Sequence, residues 1–142
     1  MQLLCSRNIF SRFLNKIRNY LTEIYNYLTD IYENKAIYYG EWEKNGTKRH
    51  GRGIQVWTDG SRYEGYWKDD KQNGKGKEIW PDGASYEGGY KDGKKQGNGI
   101  FKWADGSTYD GEFDDNNISG KGLYIFSDGR KYEGTWLNNK LE

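Results

Sequence analysis

From Ile37 onward, hydrophobic and polar positions alternate with a period of two, and the alternation itself recurs. Tyr63–Ser85, Tyr86–Thr108 and Tyr109–Lys131 are successive copies of one 23-residue pattern. Tyr38–Arg62 is a copy with two extra residues in its loop (Asn45–His50), and Tyr132–Glu142 is a partial copy. Each copy opens with Tyr-x-Gly-x-aromatic: Tyr38/Gly40/Trp42, Tyr63/Gly65/Trp67, Tyr86/Gly88/Tyr90, Tyr109/Gly111/Phe113 and Tyr132/Gly134/Trp136. Gly-x-Gly follows in the first four copies, then a further aromatic (Trp57, Trp80, Trp103, Phe126), then Asp-Gly. A fixed internal period decides the architecture before any propensity does: a repeat array in which each unit packs on its neighbours.

Alternation places Tyr63, Gly65 and Trp67 on one face of a strand. Asp-Gly between two alternating runs is a hairpin signal, and Pro81-Asp82-Gly83 predicts a type I turn with a bulge, glycine taking the left-handed position. Each copy therefore reads as two antiparallel strands, and the copies join into an elongated single-layer meander, mainly β. Polar stretches Lys68–Asn73, Lys91–Gln96 and Asp114–Ser119 read as loops along one margin, where partner choice would reside. The fifth copy reads as ending at its first strand, with Leu137–Glu142 as a tail. Bare glycines within strands imply that something lies close over the backbone. The recurring rings are the candidates, and 14 of the 18 aromatics after residue 36 fall in these columns.

Residues 1–36 follow a different rhythm. Phe10, Leu14, Ile17, Leu21, Ile24, Leu28 and Ile31 recur at intervals of four and three, with polar residues between them. The spacing predicts one long amphipathic helix from about Ser6 to Glu33, capped by Ser6. Its apolar stripe is a candidate docking face: on the repeats, on a partner helix, or in a membrane interface. Met1–Thr22 carries four basic residues and no acids, which also fits a mitochondrial import signal. The domain division expected is 1–36 and 37–142.

The Tyr-x-Gly-x-aromatic, Gly-x-Gly and Asp-Gly columns resemble the MORN (membrane occupation and recognition nexus) repeat family. The resemblance runs from Tyr38 to about Trp136, with Tyr90 and Phe113 where the family usually has Trp. It implies a twisted single-sheet ribbon with an aromatic groove, serving in scaffolds between membrane and cytoskeleton, in ciliary spokes, or beside enzyme domains.

Composition adds limits. The formal net charge is +1, with five Lys/Arg against three Asp/Glu in residues 1–36 and 17 against 18 beyond. So balanced a ribbon argues against nucleic acid, which is bound through released counterions. The single Cys5 cannot form an internal disulfide. His50, the one histidine, has no Cys or second His for a transition-metal site. The Gly-x-Gly pairs lack a following Gly-Lys-Ser/Thr, and Asp114–Asn117 lacks the spaced ligands of a calcium loop. Glu64, Glu87, Asp110 and Glu133 recur with the period, whereas catalysis concentrates unlike groups at one place.

The expectation is thus a non-enzyme without cofactor or metal: a scaffold holding parts of a larger assembly, cytoplasmic and at the cytoskeleton or a cilium. The alternatives are an accessory subunit of a mitochondrial membrane complex and a phospholipid-binding tether. Partners would be other proteins, with membrane contact through the N-terminal helix and a homodimer through the open C-terminal edge. The candidate groove comprises Tyr38, Trp42, Trp57, Tyr63, Trp67, Trp80, Tyr86, Tyr90, Trp103, Tyr109, Phe113, Phe126, Tyr132 and Trp136.

Overall fold

The computed structural model describes residues 16, 17, 19–21 and 36–141. The chain divides into two units, Met1–Lys35 and Ala36–Glu142. The predicted helix falls mostly outside the described residues. Within it, residues 16, 17 and 19–21 are helical, and a long continuous helix is not among the elements described.

The second unit is one antiparallel sheet of ten strands in sequence order. They are β1 Ile37–Trp42, β2 Arg49–Val56, β3 Arg62–Lys68, β4 Lys71–Ile79, β5 Ser85–Lys91, β6 Lys94–Lys102, β7 Thr108–Asp114, β8 Asn117–Ile125, β9 Lys131–Leu137 and β10 Lys140–Leu141. Two turn types alternate along it. The Asp-Gly connections are type I turns closed by a bulge. Gly83 N–H donates to Trp80 O at 3.0 Å, Trp80 N–H donates to Ala84 O at 2.9 Å, and Gly83 has φ 87°. The aspartate side chain ties down the far side of the turn. Asp82 Oδ1 accepts the Ala84 N–H at 2.9 Å, and Asp59, Asp105 and Asp128 repeat the bond.

The other connections correct the sequence expectation. Lys68–Asn73, Lys91–Gln96 and Asp114–Ser119 are not loops but strand ends joined by two residues each: Asp69-Asp70, Asp92-Gly93 and Asp115-Asn116. Both residues of each pair have positive φ, which defines a type I′ turn whose twist matches that of the strands. The fifth copy is corrected likewise. It turns at Asn138-Asn139 and returns as β10, pairing Lys140 with Leu137 and Leu141 with Trp136. Asx residues suit both positions because they tolerate the left-handed region.

The core lies on one face. Tyr63, Tyr86 and Tyr109 are fully buried, and Trp67, Tyr90, Phe113 and Ile118 nearly so. Their rings form an unbroken edge-to-face seam: Trp42, Tyr38, Trp67, Tyr63, Tyr90, Tyr86, Phe113, Tyr109, Trp136. Centroid separations run from 5.0 to 5.7 Å and interplanar angles from 79° to 86°. This geometry sets the positive edge of one ring against the negative face of the next.

Candidate interaction surface

The register aligns one glycine from each strand. Gly40 faces Gly53, Gly53 faces Gly65, and the row continues through Gly76, Gly88, Gly99, Gly111 and Gly122 to Gly134. A backbone crease thus crosses nine strands. On the ring-covered face each tyrosine lies across it: a Cβ on Gly65 would stand 2.6 Å from both the Tyr63 hydroxyl and Gly76 Cα. The hydroxyl explains Tyr over Phe. Tyr38, Tyr63, Tyr86 and Tyr109 donate to the carbonyls of Glu41, Tyr66, Gly89 and Glu112 at 2.8, 3.0, 2.9 and 3.2 Å. Those acceptors sit where the register shifts, for example between Gly65 and Trp67. There the first glycine of Gly-x-Gly, such as Gly74 with φ 83°, adopts a conformation that disfavours other residues.

On the opposite face the crease is the floor of an open trough of about 1250 Å³. A smaller stretch of about 440 Å³ continues it past Asp110 along β8 and β9. One wall is a row of directly paired residues: Tyr39, Ile54, Glu64, Lys77, Glu87, Ile100, Asp110, Leu123 and Glu133. Arg52, Tyr66, Lys75 and Asn98 line the other side. Apolar surface is open here: Tyr39 is 81% exposed, and Tyr66 and Ile100 are also exposed. The recurring carboxylates Glu64, Glu87, Asp110 and Glu133 all stand on the first wall. Two of them have neighbours of opposite charge: Arg62 is 2.7 Å from Glu64 and Lys77 is 3.2 Å from Glu87.

Of the 14 sequence-selected aromatics, nine make the seam. Trp57, Trp80 and Trp103 pack against the core from its margin, Phe126 lies 4.7 Å from Tyr124, and Tyr132 lies 5.8 Å from Phe126. None lines the trough. Trp42 and Tyr132 remain 50% and 46% exposed. Tyr39 and Tyr66, which do line the trough, lie outside the repeating columns. Alternation alone would have found them, because each adjoins a column glycine and so points to the other face. Of the seven stripe residues, Ile17 and Leu21 are described and are 41% and 58% exposed. Phe10, Leu14, Ile24, Leu28 and Ile31 lie outside the described residues.

Titratable groups with displaced pKa values have structural causes. Burial raises Tyr38, Tyr63, Tyr86, Tyr90 and Tyr109, Tyr86 to about 12. Burial among Trp80, Tyr86 and Phe101 lowers Lys95, opposed by the Glu78 carboxylate. Hydrogen bonds from Ser61 and Ser107 lower the turn carboxyls Asp59 and Asp105. At the margin, Glu43, His50 and Asp69 bring ligand-capable atoms within 4.8 Å of one another. Three such donors could take up a divalent cation only after closing further, since ligands on zinc sit ~2 Å from the ion.

Neighbouring copies are clasped along the margin of the type I′ turns. Asp70 N–H donates to Arg49 O at 3.1 Å, while Asp70 Oδ1 accepts the Arg49 N–H at 2.8 Å. Asn116 does the same for Lys95, at 3.1 and 2.9 Å, and Asn139 for Ile118, at 2.9 and 2.8 Å. Gly93 makes only the main-chain half, to Gln72 O at 2.9 Å.

Comparison with known proteins agrees with this geometry. The MORN repeat model matches five times, at residues 38–62, 63–85, 86–108, 109–129 and 132–142, together well over half of the chain. A search of curated proteins finds no match.

Proposed function

Because the chain belongs to the MORN repeat family, whose repeats generally serve as protein- or membrane-interaction modules, we propose that it is a non-catalytic scaffold. The ribbon holds components of a larger assembly through the trough opposite its ring-covered face. The single observation that carries this reading is a division of labour between the two faces. The rings are engaged in packing on one another and on the glycine crease, so they supply stability. The other face combines exposed Tyr39, Tyr66 and Ile100 with a regular series of carboxylates, and a concave apolar strip with ordered polar groups is what an elongated partner recognises. By family resemblance the setting is the cytoskeleton or a cilium. The acid-free, basic start of the chain keeps a mitochondrial membrane complex as the competing site.

The test is stoichiometric recovery of partners on the tagged full chain at native level, beside the Ile100→Glu variant. The reading expects defined protein partners that the substitution releases. Recovery of lipid alone, or partners indifferent to Ile100→Glu, would overturn it.

A further inference from the structure

The first copy departs from the others at its turn margin, and the departure gathers donors of the kind that bind metals. We propose that Glu43, His50 and Asp69 form a site for a divalent transition cation such as zinc, which ties the first copy to the second. The site shares no residue with the trough.

The three side chains come from three separate elements. Glu43 follows β1, His50 lies on β2, and Asp69 opens the type I′ turn between β3 and β4. Main-chain bonds already hold these positions together. Glu43 N–H donates to Lys48 O at 2.9 Å, which closes the enlarged loop. Asp70 N–H donates to Arg49 O at 3.1 Å, so the chain neighbours of Asp69 and His50 are joined as well. One ligand atom from each of the three residues falls within 4.8 Å of the other two. His50 Nδ1 and Glu43 Oε1 are 4.0 Å apart, too far for a hydrogen bond. Ligands ~2.1 Å from a tetrahedral zinc lie ~3.4 Å from one another. Side-chain torsions can supply the remaining closure, since His50 and Asp69 are exposed.

The later copies set this seat apart. At the position of His50 they hold Asn73, Gln96 and Ser119, and at that of Glu43 they hold Lys68, Lys91 and Asp114. Only the first copy sets an imidazole and a second carboxylate beside the aspartate of the turn. Two copies on, direct bonds close the same seat. Gln96 Nε2 donates to Asp114 Oδ1 at 2.8 Å, and Gln96 Oε1 accepts the Asp115 N–H at 3.2 Å.

Charge and donor type name the ligand. Two carboxylates balance a divalent cation, and the imidazole nitrogen favours zinc, cobalt or nickel over calcium and magnesium, which take oxygen donors. Three protein donors leave a fourth position for water. Of the neighbouring cations, Arg49 is engaged with Asp70, its Nε 3.1 Å from Oδ1 and its Nη2 2.8 Å from the main-chain oxygen. Lys44 and Lys48 are exposed, where salt screens their charge.

The experiment is calorimetric titration of the untagged, chelator-treated full chain with zinc chloride, with calcium and magnesium chloride for comparison. Cys5→Ser removes the one thiol from the background. One zinc per chain is expected, bound more tightly than either of the other ions. His50→Ala, Glu43→Gln and Asp69→Asn should each weaken it at least ~10-fold, the loss that even an outer-shell partner causes. Asn keeps the left-handed turn position, so the third variant alters the donor and not the fold. His50 is the single histidine, so its ring resonances report the contact without ambiguity and should shift on addition of zinc. Zinc should raise the unfolding temperature of the parent and leave that of His50→Ala unchanged, as a ligand of the native state does. No uptake at millimolar zinc, uptake indifferent to His50→Ala, or stationary His50 resonances in the zinc-bound chain would overturn the proposal.

Discussion

Tyr90 donates its hydroxyl to a Glu78 carboxylate oxygen at 2.8 Å, and the Lys95 amine, 5.1 Å from the Trp80 ring centroid, feels the charge of the same carboxylate. The equivalent positions one copy later are Phe101, Phe113 and Ile118, and one copy earlier they are Gln55, Trp67 and Gln72. One backbone junction is therefore filled once by a polar cluster and once by apolar side chains.

That equivalence can be tested by transplantation. Lys95→Ile alone leaves Glu78 without its cation and should cost about 1–3 kcal/mol in urea unfolding. Replacing all three together, Glu78→Phe, Tyr90→Phe and Lys95→Ile, copies the next junction and should return stability to within about 1 kcal/mol of the parent, or above it. A triple variant weaker than the single one would refute the equivalence.

The ring-covered face should make the protein sensitive to alkali. Burial holds Tyr38, Tyr63, Tyr86, Tyr90 and Tyr109 above their ordinary value of 10.0. Above that value the unfolded chain releases these protons and the folded chain keeps them. Stability is therefore full below pH 10.0 and falls as pH rises toward about 12, where Tyr86 titrates in the folded state. Across that window Tyr86 contributes a slope of up to about 1.4 kcal/mol per pH unit. Exposed tyrosines such as Tyr39 and Tyr66 do not report on the seam, so the final part of the tyrosinate absorbance rise should coincide with loss of the β-sheet circular dichroism, and a complete absorbance change while the sheet persists would contradict the burial.

Gly88→Val should be among the most damaging single changes. Its Cβ would stand 2.5 Å from Gly99 Cα and 2.6 Å from the Tyr86 hydroxyl, so a strand and a ring must both move. A loss of about 3 kcal/mol or more is expected from such overpacking. An unchanged melting temperature would mean that the rings do not rest on the crease.

Gly93→Asn should stabilise. The glycine occupies the position that Asp70, Asn116 and Asn139 hold elsewhere, with φ 83°, which Asn accepts, and its Cβ would meet only Gln72 Oε1 at 3.8 Å. Restoring the missing half of the clasp should add about 0.5–1.5 kcal/mol. Thermal unfolding of the single variant decides it.

Much of the fold was legible because repetition turns one inference into several. Asp-Gly with alternating flanks specified the bulged turns, and glycine beside tyrosine specified rings lying on backbone. The other turns were obscure because Asp69-Asp70, Asp92-Gly93, Asp115-Asn116 and Asn138-Asn139 share a conformation without sharing residues. A run such as Asp114–Asn117 looks like loop until its φ angles are known. The trough was harder to see. Apart from the carboxylates Glu64, Glu87, Asp110 and Glu133, its wall residues vary from copy to copy, while the aromatic columns of the repeat all face the other way. A search for shared positions therefore found the packing face and passed over Tyr39, Tyr66 and Ile100.

The clasps between copies have a consequence for growth. Asp70 to Arg49, Asn116 to Lys95 and Asn139 to Ile118 are all links across 21 residues, made by the same atoms at three of the four steps, and Gly93 keeps the main-chain half at the fourth. The main-chain joint that opens one copy is thus the joint that opens any other, and a whole copy can be excised or duplicated with the main-chain half of the clasp remade at the cut. Length is quantised in steps of ~9.6 Å, the width of one hairpin. The span of the sheet is thus set by the number of copies rather than by the chemistry of any single site.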